Sequence, residues 1–271
     1  MRYAYALSFI LAVVSGCGDY SATGPYPPPP PPPPVLLKDV TLSSLPSPFY
    51  HFEYDASGRV SAVSFASGLR MYSMTYSGDR LTEVDNDVNV NHDRLQYVYG
   101  VDGNVDAVKY LDASGVFTFV GFTYSQGRLT EVERDIRVTG GFIIDKVMTF
   151  SYDADGNLRE LSEHRPAITG RQDETTTVDH FEQYDTGINV DAFSLIHDEF
   201  FDHLILLPGV QLQRGNPRRV TRTGDGLNYV VDYTYTYDER NRPVTRTGAL
   251  RLTNGERAGE ILQLLGQFSY Y

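Results

Sequence analysis

Along residues 229–237 polar and apolar positions alternate, with Val230 as the one exception. Tyr229, Val231, Tyr233, Tyr235 and Tyr237 share one face, and Asp232, Thr234 and Thr236 share the other. Residues 116–124 and 50–54 alternate in the same way. A period of two is the signature of an antiparallel strand with one buried and one solvated face. The alternating stretches are punctuated by Asp, Asn and Gly, which tolerate or supply the left-handed backbone of tight turns. One turn per roughly 8 to 12 residues predicts a meander of about fourteen to sixteen strands.

The turns fall into two sets. In the first an aromatic residue ends a strand, a short Asp/Gly/Asn turn follows, and a branched aliphatic residue restarts the alternation. Tyr54–Val60 (YDASGRV), Tyr99–Val105 (YGVDGNV), Tyr152–Leu158 (YDADGNL) and Tyr237–Val244 (YDERNRPV) are members, and Tyr184–Gly187 (YDTG) is a degenerate one. Two further members, Tyr76–Val84 (YSGDRLTEV) and Tyr124–Val132 (YSQGRLTEV), are nearly identical over nine residues. From Tyr54 to Tyr184 the spacings are 22, 23, 25, 28 and 32 residues, a loose period that marks one supersecondary unit used repeatedly. The second set is plainer: Ala66-Ser67-Gly68, Asp112-Ala113-Ser114-Gly115, Thr139-Gly140-Gly141, Gly224-Asp225-Gly226 and Asn254-Gly255. In a meander the two sets must segregate to opposite rims. A sheet of this size twists as it grows, so the expected fold is all-β, an up-and-down antiparallel meander curled into a barrel or half-barrel.

The tyrosine units resemble the YD repeats of Rhs-type proteins, which curl into a β-shell. Together with the N-terminus described below, they are also similar to a group of Bacteroidetes-type lipoproteins of unknown function whose hairpins form a porin-like sheet. The resemblance covers most of residues 49–271. No toxin cargo follows the last unit, so toxin delivery is not implied.

Between Tyr184 and Asn216 the beat stops. Phe193, Ile196, Phe200, Leu204 and Leu207 recur at helical spacing, with Asp191 as N-cap and Pro208-Gly209 as the stop. Leu195, Phe201 and Ile205 widen the apolar arc, which predicts a largely buried helix over about 191–207, packed on the concave face of the sheet or plugging its lumen.

The N-terminal end adds an address. One charge, Arg2, precedes an apolar run from Ala4 to Val14, the layout of a secretory signal peptide. Val14-Ser15-Gly16-Cys17 looks like a bacterial lipobox, and Cys17 is the sole cysteine of the chain. The resemblance implies cleavage before Cys17, acylation there, and attachment to the outer membrane, since Gly18 rather than Asp follows. Two or three acyl chains hold a protein stably on a bilayer. Pro27–Pro34 form an uninterrupted proline run. Without amide donors it can only extend as polyproline II, roughly 25 Å at about 3.1 Å per residue. The chain is thus parsed as signal peptide 1–16, lipidated cysteine and tether 17–37, and β domain 38–271.

Charge and chemistry change this picture little. A net charge of −12 argues against nucleic acid as a partner, which needs clustered cations. An outer-membrane barrel of the porin type would carry an apolar lipid-facing band. Here Arg219, Arg222 and Asp232 interrupt the strands, and counting back by twos from Tyr271 gives Ser269, Gln267, Leu265 and Gln263, so a water-facing, tethered and monomeric domain is expected. His197, Asp198, Glu199, Asp202 and His203 are read as an acidic helical face, not a metal centre, because the two histidines are six residues apart. Asp153–Asn157 is read as a turn: His164 stands where a calcium loop needs Glu. No cofactor site and no catalytic residue is assigned, although pairs such as Glu131 and Glu133 leave open a glycan-directed hydrolase. Tyrosine-rich concave surfaces suit carbohydrate or peptide ligands, yet the same tyrosines serve equally as core. A non-enzymatic binding module is the favoured function, with a hydrolase or a ligand-free scaffold as alternatives.

Overall fold

The computed structural model describes residues 35–43, 45–86, 94–190, 194–198 and 203–271. Its strands are β1 (Leu37–Leu42), β2 (Tyr50–Tyr54), β3 (Val60–Phe65), β4 (Arg70–Ser77), β5 (Arg80–Asn86), β6 (Arg94–Tyr99), β7 (Val105–Asp112), β8 (Gly115–Ser125) and β9 (Arg128–Val138). They continue with β10 (Gly141–Tyr152), β11 (Leu158–Arg165), β12 (Thr175–Glu182), β13 (Ser194–Asp198), β14 (His203–Leu207), β15 (Arg219–Gly224), β16 (Tyr229–Tyr237), β17 (Pro243–Leu252) and β18 (Ile261–Tyr270). Sixteen of these form one closed antiparallel barrel in which sequence neighbours pair throughout, save where β12 pairs β15. β1 and β18 zip the ends together, with Val40 opposite Phe268 and Thr41 opposite Gln267. Closure removes both edges, which a sheet of this length would otherwise expose.

Every plain turn lies at one rim and every tyrosine turn at the other, as the alternation requires. The structure also shows why the tyrosine unit repeats. A β-bulge precedes Tyr54, Tyr76, Tyr99, Tyr124, Tyr152 and Tyr237; the first five then pair with the aliphatic residue that restarts their own unit, as in Tyr76 with Leu81, and Tyr237 pairs with Pro243. A bulge bends the strand and re-aims the side chain. The ring thereby reaches the preceding unit. Tyr76 donates its hydroxyl to the Val60 carbonyl at 2.8 Å, Tyr99 to Leu81 at 2.9 Å, Tyr152 to Leu129 at 2.7 Å, and Tyr270 to Pro243 at 2.6 Å. Over the same rings lie the arginines of the preceding units: Arg59 is 4.3 Å from the Tyr76 centroid, Arg128 is 5.1 Å from Tyr152, and Arg242 is 4.1 Å from Tyr270. Hydroxyl and cation stitch unit to unit along the rim. Where Asp follows the tyrosine, it closes the loop itself: Asp55 accepts from the Ser57 and Arg59 amides at 2.8 and 3.0 Å and holds the Arg59 guanidinium, and Asp238 does the same with the Arg240 and Arg242 amides and the Arg242 guanidinium.

No helix occurs among the described residues. The segment expected to be helical over 191–207 is, where described, an antiparallel hairpin of β13 and β14, with Ser194 opposite Leu207 and Asp198 opposite His203. Its place in the lumen agrees with the expectation: Ile205, Leu206 and Leu207 are 2%, 2% and 0% exposed and belong to the main core cluster. Three consecutive buried residues leave no period to read, because barrel wall surrounds them, and helical spacing among the rest was accidental.

The core is lopsided. Its contiguous cluster draws on β1 to β11, β18 and the inserted segment, and on no residue of β15, β16 or β17. Space remains between this cluster, at Leu37, Phe52 and Leu158, and the strands β15 to β17.

Candidate functional site

The inserted segment enters and leaves at the tyrosine rim, where the degenerate unit at Tyr184 makes no hairpin. Polar side chains fix it there. The Asn157 Oδ1 atom accepts from the Arg214 and Gly215 amides at 2.9 and 3.1 Å, and Asp185 Oδ1 accepts from the Asn216 amide at 3.2 Å. Tyr237 donates to the other Asp185 oxygen. Gly215 passes so close to the Asp185 backbone that a Cβ there would collide with its carbonyl oxygen. Deeper in, the Leu206 amide donates to the Tyr97 hydroxyl at 3.1 Å.

On the open side two adjoining cavities remain. The smaller, about 250 Å³, is bordered by Asp179, Asn216, Tyr229, Tyr233 and Tyr235. The larger, about 340 Å³, is bordered by Leu37, Leu42, Phe52, Leu158, Leu161 and Leu212. Phe181, Val190, Gln213, Arg246 and Phe268 border both. The Arg246 guanidinium carbon lies 5.2 Å from the Tyr233 centroid and 5.8 Å from that of Phe268. Tyr233 can turn toward it because its register partner is Gly248, where a Cβ would overlap the Tyr233 ring. Leu262 and Leu264 share the inward face with Phe268, yet Leu262 is 36% exposed, so the lumen is open to solvent toward the plain rim.

A string of ion pairs runs inside the wall. Arg134 grips Asp145 through two hydrogen bonds of 2.8 and 2.6 Å, both residues 5% exposed. Lys146 lies 3.4 Å from Glu163, which Arg165 contacts at 2.6 Å. Burial depresses the Lys146 amine against the pull of Glu163. Burial is the largest single influence on the Glu163 carboxyl and pushes it up, but Lys146 and Arg165 together outweigh it and hold the carboxyl below its ordinary range. Arg222 grips Asp179 at 2.8 and 2.5 Å, and that hydrogen bond raises the guanidinium's affinity for its proton.

The sequence expectations meet this geometry unevenly. Tyr229, Tyr233 and Tyr235 border the smaller cavity, the Tyr235 hydroxyl donating to the Pro217 carbonyl at 3.1 Å, whereas Tyr76, Tyr99 and Tyr152 at the rim donate to backbone carbonyls of the preceding unit. Arg219 pairs with Asp232 on the outer wall at 2.7 Å, but Arg222 faces the lumen; it is not on the outer face with them. Glu131 and Glu133 sit side by side on the outer face of β9, away from both cavities, and burial with the charges of Asp135 and Glu131 raises the Glu133 carboxyl. Cys17 and the tether residues before Val35, the proline run included, lie outside the described residues, as do the side chains of the acidic stretch His197–His203. Arg246, Asp179 and the Arg134–Asp145 pair were missed by sequence reasoning. Strand parity could have found Arg246, which stands opposite Tyr235. It could not have found Asp145, because a bulge between Ile144 and Lys146 turns two consecutive charged residues inward.

No family model and no curated protein matches this chain. Two solved structures share its architecture. A porin-like protein from Bacteroides vulgatus aligns with a TM-score of 0.57 at 16% identity, over 87% of this chain and 99% of that one. A porin-like protein from Bacteroides uniformis aligns with a TM-score of 0.56 at 13% identity, over 82% and 89%. The chain has the porin-like β-barrel fold. At such identity the likeness extends to the fold alone.

Proposed function

We propose that this protein is a non-enzymatic binding module of the bacterial envelope, held on the outer membrane by acyl chains on Cys17 and spaced from it by the proline tether. The observation that carries the binding role is the half-open lumen: an inserted segment fills one side of the barrel and leaves two adjoining cavities, lined by tyrosines and an arginine, on the other. Sites for small molecules are concave, mostly apolar and furnished with a few placed polar groups.

The outer wall supports anchoring by lipid in place of spanning by strands. The ion pairs Arg94–Glu83 and Arg219–Asp232 and the close contacts His51–Asp39 and His180–Glu160 occupy outward positions, distributed around the barrel. A charged side chain on a lipid-facing strand costs about 2–4 kcal/mol near the bilayer centre. The lining also favours binding over hydrolysis: Asp179, the carboxylate that borders the smaller cavity among the described residues, is already bound by Arg222. The stitching of tyrosine and arginine between units supports the likeness to YD repeats.

Native mass spectrometry of the protein drawn from its own membranes in mild detergent tests both halves of the proposal. Acyl mass on Cys17 and a small molecule released on denaturation are expected. An unmodified Cys17 would overturn the anchor, and a barrel that carries and takes up no ligand would overturn the binding role.

A further inference from the structure

Ten of the thirteen residues that border the larger cavity are aliphatic or phenylalanine. The three polar ones are engaged within the protein: Gln213 Oε1 accepts from Asn189 Nδ2 at 3.2 Å, and Tyr50 and Arg246 have partners of their own. They say nothing of a ligand's charge, so the apolar wall alone decides. A sugar hydroxyl or a peptide amide laid against that wall would exchange water for carbon and lose its hydrogen bonds. Hydrocarbon has none to lose and gains by leaving water.

A glycine in the wall points the same way. Gly266 is buried in the middle of β18, opposite Leu42 on one side and Arg246 on the other, and no bulge interrupts either pairing there. Glycine weakens a strand interior, and where no bulge or bend explains it, it marks a close approach. A Cβ at Gly266 would meet Leu42 Cδ2 at 3.5 Å and Arg246 Nε at 3.8 Å, both ordinary contacts, so the wall does not exclude a small side chain. A larger one would push Leu42 and Arg246, which both border the cavity, off the wall and into its space. Glycine keeps the lumen wide at this level.

The mouth is apolar as well. Leu262 is exposed on the inward face at the plain rim, and Leu45 and Leu227 are exposed in the two neighbouring loops, between β1 and β2 and between β15 and β16. A hydrocarbon ligand entering there meets carbon from the rim inward.

We propose that the larger cavity binds the aliphatic chain of a lipid, with chain length and not head group setting the affinity. The chain enters past Leu262 and lies against Phe52, Leu161 and Leu212. This reading rests on the binding role proposed above and gives that role its ligand class.

The full chain with Cys17→Ser is purified without detergent, stripped of bound lipid on a hydrophobic resin, and loaded with the apolar fluorophore N-phenyl-1-naphthylamine. Octanol, decanol and dodecanol are titrated to displace the probe. Dodecanoate and dodecyltrimethylammonium, both below their micelle thresholds, and a soluble oligosaccharide are run beside them. One-to-one displacement is expected, strengthening roughly fourfold per methylene, as for a methylene fully withdrawn from water. The three dodecyl compounds should agree within about tenfold. Leu161→Trp should abolish displacement by filling the chain's space, and Gly266→Val should weaken it by driving Leu42 and Arg246 inward. Leu265→Ser, on the outward face of the same strand, should change nothing. Thermal melts show that each variant is folded, and Leu161→Phe replaces the tryptophan variant if that one is not.

Affinity that follows the head group and ignores chain length would overturn the proposal. So would affinity lost in Leu265→Ser yet kept in Leu161→Trp and Gly266→Val. Uptake of the oligosaccharide but of no dodecyl compound would overturn the aliphatic ligand while the binding role stands. Uptake of none of them, together with native mass spectra free of ligand, would sink both.

Discussion

Tyr152 and Tyr124 occupy the same place in successive units, follow the same bulge and are both half-buried, yet they differ in one atom's surroundings. The Tyr152 hydroxyl donates to Leu129 at 2.7 Å, whereas the Tyr124 hydroxyl is buried with no hydrogen-bond partner among the described residues. Burial pushes both phenols up to about 12, so both keep their protons at any physiological pH. Removing the bonded hydroxyl should strand the Leu129 carbonyl, while removing the other takes away a desolvated group that gains nothing. We therefore expect Tyr152→Phe to cost about 1 kcal/mol, or roughly 2–4 °C in Tm, and Tyr124→Phe to leave stability within about 0.5 kcal/mol. Urea melts of the two variants check this; equal losses would mean that the ring alone matters. The tyrosines were legible in the sequence as strand ends. Their acceptors were not, because each lies in the preceding unit and becomes adjacent only when the sheet closes.

Among the elements, the hairpin of β13 and β14 is where sequence and structure part. Its wall strands alternate because one face meets water, and that alternation made the meander and its two rims readable. Inside the lumen every face meets protein, so Ile205, Leu206 and Leu207 carry no alternation, and a run of that kind fits buried strand and buried helix equally. The segment's burial was readable from its apolar content; its conformation was not. Position in the lumen makes a prediction that position outside does not. Leu207 is fully buried in the core cluster, so Leu207→Ala leaves a void that the rigid barrel wall cannot collapse into. The expected loss is about 2–5 kcal/mol in equilibrium unfolding. A loss below about 0.5 kcal/mol would place the hairpin outside the packed interior.

For the molecule as a whole, the decisive contact joins its two ends. Sequence alone left open whether the sheet closes, since twist demands curling but does not fix the number of strands at which the edges meet. The seam between β1 and β18 answers this with a specific register, in which Thr41 faces Gln267, 226 positions later. Both residues lie on the outer face, by alternation with the lumenal Val40 and Phe268, so their replacement disturbs no core packing. Directly opposed residues in an antiparallel pair lie about 4.5–5.5 Å apart at Cα, within the span a disulfide bridges. Thr41→Cys with Gln267→Cys, in the Cys17→Ser background that removes the chain's sole native thiol, should therefore crosslink spontaneously in air. The product should run as a compact monomer on non-reducing gels. A bridge closing a loop of this length removes about 5 kcal/mol of unfolded-state entropy in the chain-closure model, so the unfolding midpoint should rise sharply and fall back on reduction. A half-barrel with free edges would hold the two thiols apart, form no intramolecular bridge, and pair between molecules instead. The same crosslink reports on cooperativity. If the seam is the last contact to form, locking it should slow unfolding far more than it speeds refolding, because interactions absent from the transition state act mainly on the unfolding rate.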